Sequence, residues 1–171
     1  MFKLETKSVI LKVVVFAIAF AFVEASVVVY LRHLLGASYS EIGKGQILLL
    51  LPGIAFLQPQ EALKIIQDSA LLNVEMAREA ATLVMLAIVA ALVAKDFKKI
   101  LAFFLFAFGV WDIFYYVFLR LTIGWPTSFS DLDIFFLLPV PWVGPVFVPV
   151  LISLSLITAS LMYLKKEGKK L

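Results

Sequence analysis

"NVEMAREAATLVMLAIVAALVAK" (residues 73–95) is apolar enough to cross a bilayer, yet its first turns carry Glu75, Arg78 and Glu79. Charged groups in hydrocarbon cost at least about 2.5–3.5 kcal/mol each unless they face a partner, a wet cavity or the headgroups. Whether this stretch is a membrane span with a polar stripe therefore decides the fold. Composition settles the solvent: 63% of the 171 residues are hydrophobic and 16% are charged, with a mean hydropathy of +1.05. A soluble chain of that make-up would be coated in apolar surface.

Outward from this stretch, a span needs about 20 apolar residues at about 1.5 Å rise each. Four segments qualify: 8–31, 71–94, 100–119 and 145–164. The first is longer than a signal-peptide core, contains Glu24 and lacks a small-residue cleavage site after it, so it reads as a retained helix. Two further apolar stretches, "ILLLLPGIAFL" (47–57) and "DIFFLLPVPWVG" (133–144), are too short to cross and are interrupted by prolines. They are expected as interfacial or re-entrant pieces over the ends of the bundle, where protein or water covers their backbone. "QEALKIIQD" reads as a short amphipathic lead-in to the second span, Pro145 as a first-turn residue of the fourth, and Pro149 as a bend in it. The expected fold class is all-α: a polytopic four-transmembrane-helix bundle forming one integral membrane domain over residues 1–171. No internal repeat or low-complexity tract interrupts it.

Basic residues fix the expected orientation. Lys3, Lys7 and Lys12 precede or open the first span, Lys95, Lys98 and Lys99 join the second to the third, and Lys165, Lys166, Lys169 and Lys170 follow the fourth. With four spans all three groups share one side, which the positive-inside rule makes the cytoplasmic face of the cell membrane, both termini included. Clustering of this kind serves orientation rather than nucleic-acid binding. The chain has no cysteine, which removes disulfides, thiolate metal sites and the chemistry of four-helix quinone-linked thiol oxidoreductases.

Depth and face draw the polar residues together. Glu24 lies eight residues before Arg32 and Asp112 eight before Arg120, so each sits about 12 Å below the outer interface those arginines mark. Counting up from the inner lysines places Glu79 in the same layer and Glu75 at its outer mouth. Glu75, Arg78, Glu79 and Thr82 share one arc of the second span, and Gly109, Asp112, Tyr115 and Tyr116 one arc of the third. Glu24, Glu75, Glu79 and Asp112 thus form a candidate cation or proton site with Arg78 as the basic residue within the layer. Such an excess of acid is balanced in one of three ways: by protons, by Arg32, His33 and Arg120 folding in, or by a bound cation. The last would make Glu24, Glu79 and Asp112 oxygen ligands for a divalent metal ion.

A structural reading stands beside each functional one. Glu75, Arg78 and Glu79 also suit a snorkelling cluster near a helix end, with the acids helped by the helix dipole. Glu24 and Asp112 also suit ion pairs with Arg78. Tyr115 and Tyr116 are supporting hydrogen-bond donors or belt residues, and Trp111, Trp125 and Trp142 are belt anchors. Asp131 and Asp133, in the outer turn, either cap the segment after them or top up the site from above. His33, the one histidine, is a polar rim residue or an acid–base group. Without a second histidine neither bis-imidazole haem ligation nor a Glu-x-x-His di-iron pattern is available, and no nucleotide-binding pattern is present.

"WDIFYYVFLRLTIGWP" followed by "LPVPWVGPV", with "VE" in the first span and "REAATLVML" in the second, resembles a group of small uncharacterised prokaryotic integral membrane proteins. The resemblance implies a multi-span membrane protein and no activity. Three functional classes are therefore expected to compete. One is a cation- or proton-binding protein that also translocates its cargo; another is a membrane enzyme acting on a lipid or quinone-like lipophilic ligand; the third is a structural or assembly subunit with a buried ion-pair lattice. The lipid bilayer is the expected partner, nucleic acid is not, and the sequence sets no oligomeric state.

Overall fold

Phe97–Ile123, the helix α4, is the axis of the molecule. In this computed structural model, which describes residues 4–35 and 47–167, α4 packs against three other long helices: α1 (Leu4–Leu35), α3 (Ser69–Val93) and α5 (Phe147–Glu167). All four are long and apolar enough to cross a membrane. Their ends are set by local chemistry. Asp68 caps α3 by accepting the Leu71 N–H at 2.9 Å, and Asp96 caps α4 by accepting those of Lys98 and Lys99. Gly124 closes α4 at φ 69, its N–H donating to the Arg120 carbonyl, in the left-handed conformation that glycine adopts at least cost.

Small residues let the helices meet. Ala17 and Ala21 of α1 are fully buried in the core formed with Phe103, Phe106 and Ala107 of α4 and Leu86 and Ala90 of α3, the small-residue packing membrane helices use. Gly109 does the same for α5: a Cβ there would meet the Ser153 carbonyl oxygen at 2.8 Å. This differs from the sequence expectation, which put Gly109 on the cavity stripe; it serves the α4–α5 contact instead. Outward-facing apolar side chains such as Leu11, Val84, Leu92 and Leu151 are exposed, which suits lipid and not water.

The all-α expectation is corrected by a four-stranded antiparallel sheet in the order β1-β2-β4-β3. β1 (Ile47–Leu51) and β2 (Ile54–Leu57) form one hairpin, β3 (Leu132–Phe136) and β4 (Trp142–Pro145) the other, and Ala55 and Phe56 pair with Val143 and Trp142 to join them. Both stretches read as re-entrant or interfacial pieces are thus hairpins. The physical reason is backbone satisfaction: runs of four or five apolar residues cannot make a spanning helix, but paired as strands they bond each other. Pro52-Gly53 makes the first turn, with Gly53 at φ 82, as a Pro-Gly turn of the type II kind requires.

Pro145 ends β4 and does not start the fourth span, whose helix begins at Phe147. Pro149 falls in the first turn, where its missing N–H costs no helical hydrogen bond and gives no cause for a bend. Between β2 and α3 lie a 3₁₀ turn (Pro59–Glu61) and the short helix α2 (Ala62–Ile65). Ala62 and Ile66 pack with Leu72 of α3 and with Leu137, just after β3. This small second core fastens the sheet to the end of the bundle where α1 and α4 finish and α3 and α5 begin.

Candidate functional site

A cavity of about 120 Å³ lies between α1, α3 and α4, under β3 and α2. Its wall includes Glu24, Glu75, Arg78, Glu79 and Asp112, the residues the sequence placed in one layer, together with Tyr115, Tyr116 and Asp133. All five acids are buried. The helical period explains the convergence, because Glu75, Glu79 and Thr82 fall on the buried face of α3.

The charges divide into two settings. Arg78 bonds Glu24 across the α1–α3 groove and Glu75 along its own helix, Nε to Oε2 at 2.8 Å, making a triad in which one guanidinium serves two carboxylates. A second arginine acts above it. Arg32 bridges to Asp133 at 3.2 Å with its guanidinium 3.7 Å from the centroid of the Trp125 ring, and the Tyr116 hydroxyl donates to the other Asp133 oxygen at 2.9 Å. The sequence used Arg32 as an interface marker and offered it as one of three ways to balance the acids. Arg32 is part of the cavity wall.

Glu79 and Asp112 are held differently. Glu79 accepts the Leu137 backbone N–H through both oxygens, at 3.1 and 2.8 Å, and Asp112 accepts the Ser153 hydroxyl of α5 at 2.8 Å. Among the described residues neither joins a salt bridge. Both buried carboxyls thus have neutral hydrogen-bond donors, and burying an isolated charge is far more costly than burying a dipole.

Several expectations change. Among the described residues no three acidic or histidine side chains assemble as a group able to hold a metal ion. The divalent-metal assignment of Glu24, Glu79 and Asp112 therefore gains no support, since each carboxylate is turned to its own partner: Arg78, Leu137 or Ser153. His33 is exposed and borders a separate surface recess with Tyr30 and Ile123. Asp131 does not line the cavity; it accepts the backbone N–H groups of Thr127 and Ser128 and the Thr127 hydroxyl. Those bonds, the one from Ser128 first, hold its carboxyl below the usual range. Arg120 donates to the Gly124 and Pro126 carbonyls and lines a groove whose wall also includes Phe129 and Val150.

Three participants escaped the sequence. Ser153 sits in an apolar span with no charge to flag it; its one signal is the seven-residue spacing to Ser160, which puts two buried hydroxyls on one face. The Leu137 N–H has no sequence signature at all. Trp111, read as a belt anchor, is 6% exposed, lines the cavity, stacks on Tyr115 and leaves its indole Nε1 without a hydrogen-bond partner. Comparison with protein-family models, with curated proteins and with solved structures finds no match.

Proposed function

We propose that this chain is an integral membrane protein that binds exchangeable protons or a small cation in a cavity in the outer half of its bundle, with Glu79 and Asp112 as the groups that take them up. One observation carries the reading: two buried carboxyls on one cavity wall are held by neutral donors while the neighbouring acids have arginines. Glu24, Glu75 and Arg78 form the fixed counter-charge, and Asp133, Arg32 and Tyr116 form the cover. The lysine-bearing ends lie opposite the sheet, so the positive-inside rule supports a cytoplasmic location for both termini and an outward-facing cap.

The reading stops at binding. Toward the lysine-bearing end the core includes the apolar Leu86, Phe103, Phe106 and Ala107; translocation requires those side chains to move. Infrared spectroscopy of the protein in nanodiscs tests the proposal through the carboxylic C=O stretch. A band present at neutral pH and diminished in Glu79→Gln and in Asp112→Asn supports it. Absence of the band, together with no stabilisation by added cations, overturns it.

A further inference from the structure

We infer that the groove between α4 and α5 holds one glycerophospholipid from the leaflet on the sheet side, its phosphodiester on Arg120 and an acyl chain along Ile113, Val117 and Val150. The inference goes beyond the proton-binding reading and does not depend on it.

The groove has a polar end and an apolar length. Its volume is about 440 Å³, within the range of about 300–1,000 Å³ for clefts that hold small molecules. Arg120 stands in the last turn of α4, where the chain turns through Gly124 into the loop that brings Pro126, Thr127 and Ser128 to the same wall. Val117 and Ile113 lie deeper on α4, Ile113 about 10 Å below Arg120 at about 1.5 Å per residue, and Val150 contributes from α5. Polar groups thus sit at headgroup level and apolar ones in the hydrocarbon, the order of a lipid molecule.

Arg120 is the charged residue of this wall and is exposed. Both of its hydrogen bonds among the described residues leave from Nη1, to the carbonyls of Gly124 and Pro126, which sets the guanidinium beside the polar end. Among the described residues it joins no salt bridge. Asp131 feels its charge only as the last of the influences on that carboxyl. A guanidinium is a planar fork of donors that matches phosphate oxygens two at a time. Ser128 Oγ accepts the Ser130 N–H at 3.2 Å and keeps its own proton to donate.

Other occupants satisfy half of the groove. A free phosphate uses Arg120 and leaves the apolar length empty. A neutral lipid, or an apolar helix of a second copy, covers that length and leaves the guanidinium without a counter-charge at the edge of the hydrocarbon, where charge is costly. A phospholipid meets both demands, and the bilayer supplies it at this depth.

The test uses native mass spectrometry and thermal melts of the full-length protein in non-ionic detergent, with phosphatidylglycerol and a phosphate-free diacylglycerol galactolipid as probes. One phosphatidylglycerol is expected to stay on the wild type and raise its melting temperature saturably, and the galactolipid is expected to bind about tenfold more weakly, the worth of one charge-assisted hydrogen bond. Arg120→Gln keeps a donor for the two carbonyls but removes the charge and should weaken phosphatidylglycerol about tenfold, whereas Arg120→Lys should retain it within a few-fold. Val117→Trp, at a position 39% exposed, fills the groove and should abolish retention; Leu151→Trp, on an exposed face of α5 outside the groove, should not. Lipid-free melts report whether each variant is folded. Equal retention of the two lipids, loss in Arg120→Lys as large as in Arg120→Gln, or retention that Arg120→Gln and Val117→Trp both leave unchanged overturns the inference. A lipid-free dimer that Val117→Trp dissociates assigns the groove to a second copy and overturns it too.

Discussion

Glu79 on α3 holds the backbone N–H of Leu137 through both carboxylate oxygens, across 58 positions of sequence. One side chain is thus both a member of the cavity wall and the clasp between the bundle and its β cap. A substitution there tests two roles that are separable by shape. Glu79→Gln keeps an acceptor for the N–H and should alter proton binding with little loss of stability. Glu79→Leu orphans the N–H and should cost about 1–3 kcal/mol in detergent unfolding. Faster amide exchange at Leu137 in the leucine variant alone is the matching local signal; equal exchange in both would refute the clasp.

Arg78 is the centre of a triad, so removing it leaves two buried carboxylates unpaired. Arg78→Met should destabilise by about 3–5 kcal/mol, the usual cost of breaking a buried pair from one side. Adding Glu24→Gln to that variant should recover part of the loss. A double variant as unstable as the single one would show that the Glu24 carboxylate is not what Arg78 stabilises.

Gly109 holds α4 against α5 over a backbone oxygen, which cannot move aside as a flexible side chain does. With a Cβ placed 2.8 Å from the Ser153 carbonyl and 2.9 Å from Ile157 Cγ1, Gly109→Ala should cost about 1–3 kcal/mol by overpacking. The same displacement should lengthen the Ser153–Asp112 hydrogen bond, read as a shift in the Asp112 carboxyl band. A variant of wild-type stability would mean that the two helices sit farther apart.

Orientation is testable with single cysteines, since the native chain has none. Lys98→Cys, in the turn between α3 and α4, should react only with reagent on the cytoplasmic side, and Ser128→Cys, in the loop before β3, only from outside. Labelling of both from one side would remove the four-span arrangement.

Asp131 supplies a pH effect outside the membrane. Its carboxyl lies below the ordinary value because the turn at Thr127 and Ser128 donates to it. A lowered folded value means that the stabilisation is present above the unfolded value and is lost as the pH falls through the lower, folded one. Amide exchange at Thr127 and Ser128 should therefore quicken only in acid below the ordinary carboxyl range. In Asp131→Asn that acid dependence should disappear.

How much of this was readable depended on how local the signal is. Each span announced itself through some 20 consecutive apolar residues, and the acids stood out against them, so depth counting placed Glu24, Glu79 and Asp112 on what is one cavity wall. The sheet did not announce itself, because "ILLLL" and "IAFL" are as apolar as a re-entrant helix and the pairing of Ala55 with Val143 joins residues far apart in sequence. The Leu51-Pro52-Gly53-Ile54 turn between two apolar runs was the available hairpin signal. Partners hidden in backbone or hydroxyl chemistry, Leu137 and Ser153, leave no mark in hydropathy. Trp111 misled because an indole in an apolar helix suits a membrane belt as well as a cavity wall.

The order in which the chain is made gives the long-range pairings another meaning. Glu24 is synthesised 54 positions ahead of Arg78, Glu79 58 ahead of Leu137 and Asp112 41 ahead of Ser153. At about 5–20 residues per second, each acid waits for seconds, against a hydrocarbon cost of about 2.5–3.5 kcal/mol for a lone charge. Each of the first three spans consequently enters the bilayer with one carboxyl, that of Glu24, Glu79 or Asp112, whose partner does not yet exist. Until α5 arrives, Asp112 lacks its serine, and protonation or a place near the headgroups must hold it meanwhile. Insertion of this chain is thus a sequence of deferred pairings, and truncation after α4 should leave a product that membrane quality control recognises by its unsatisfied acids.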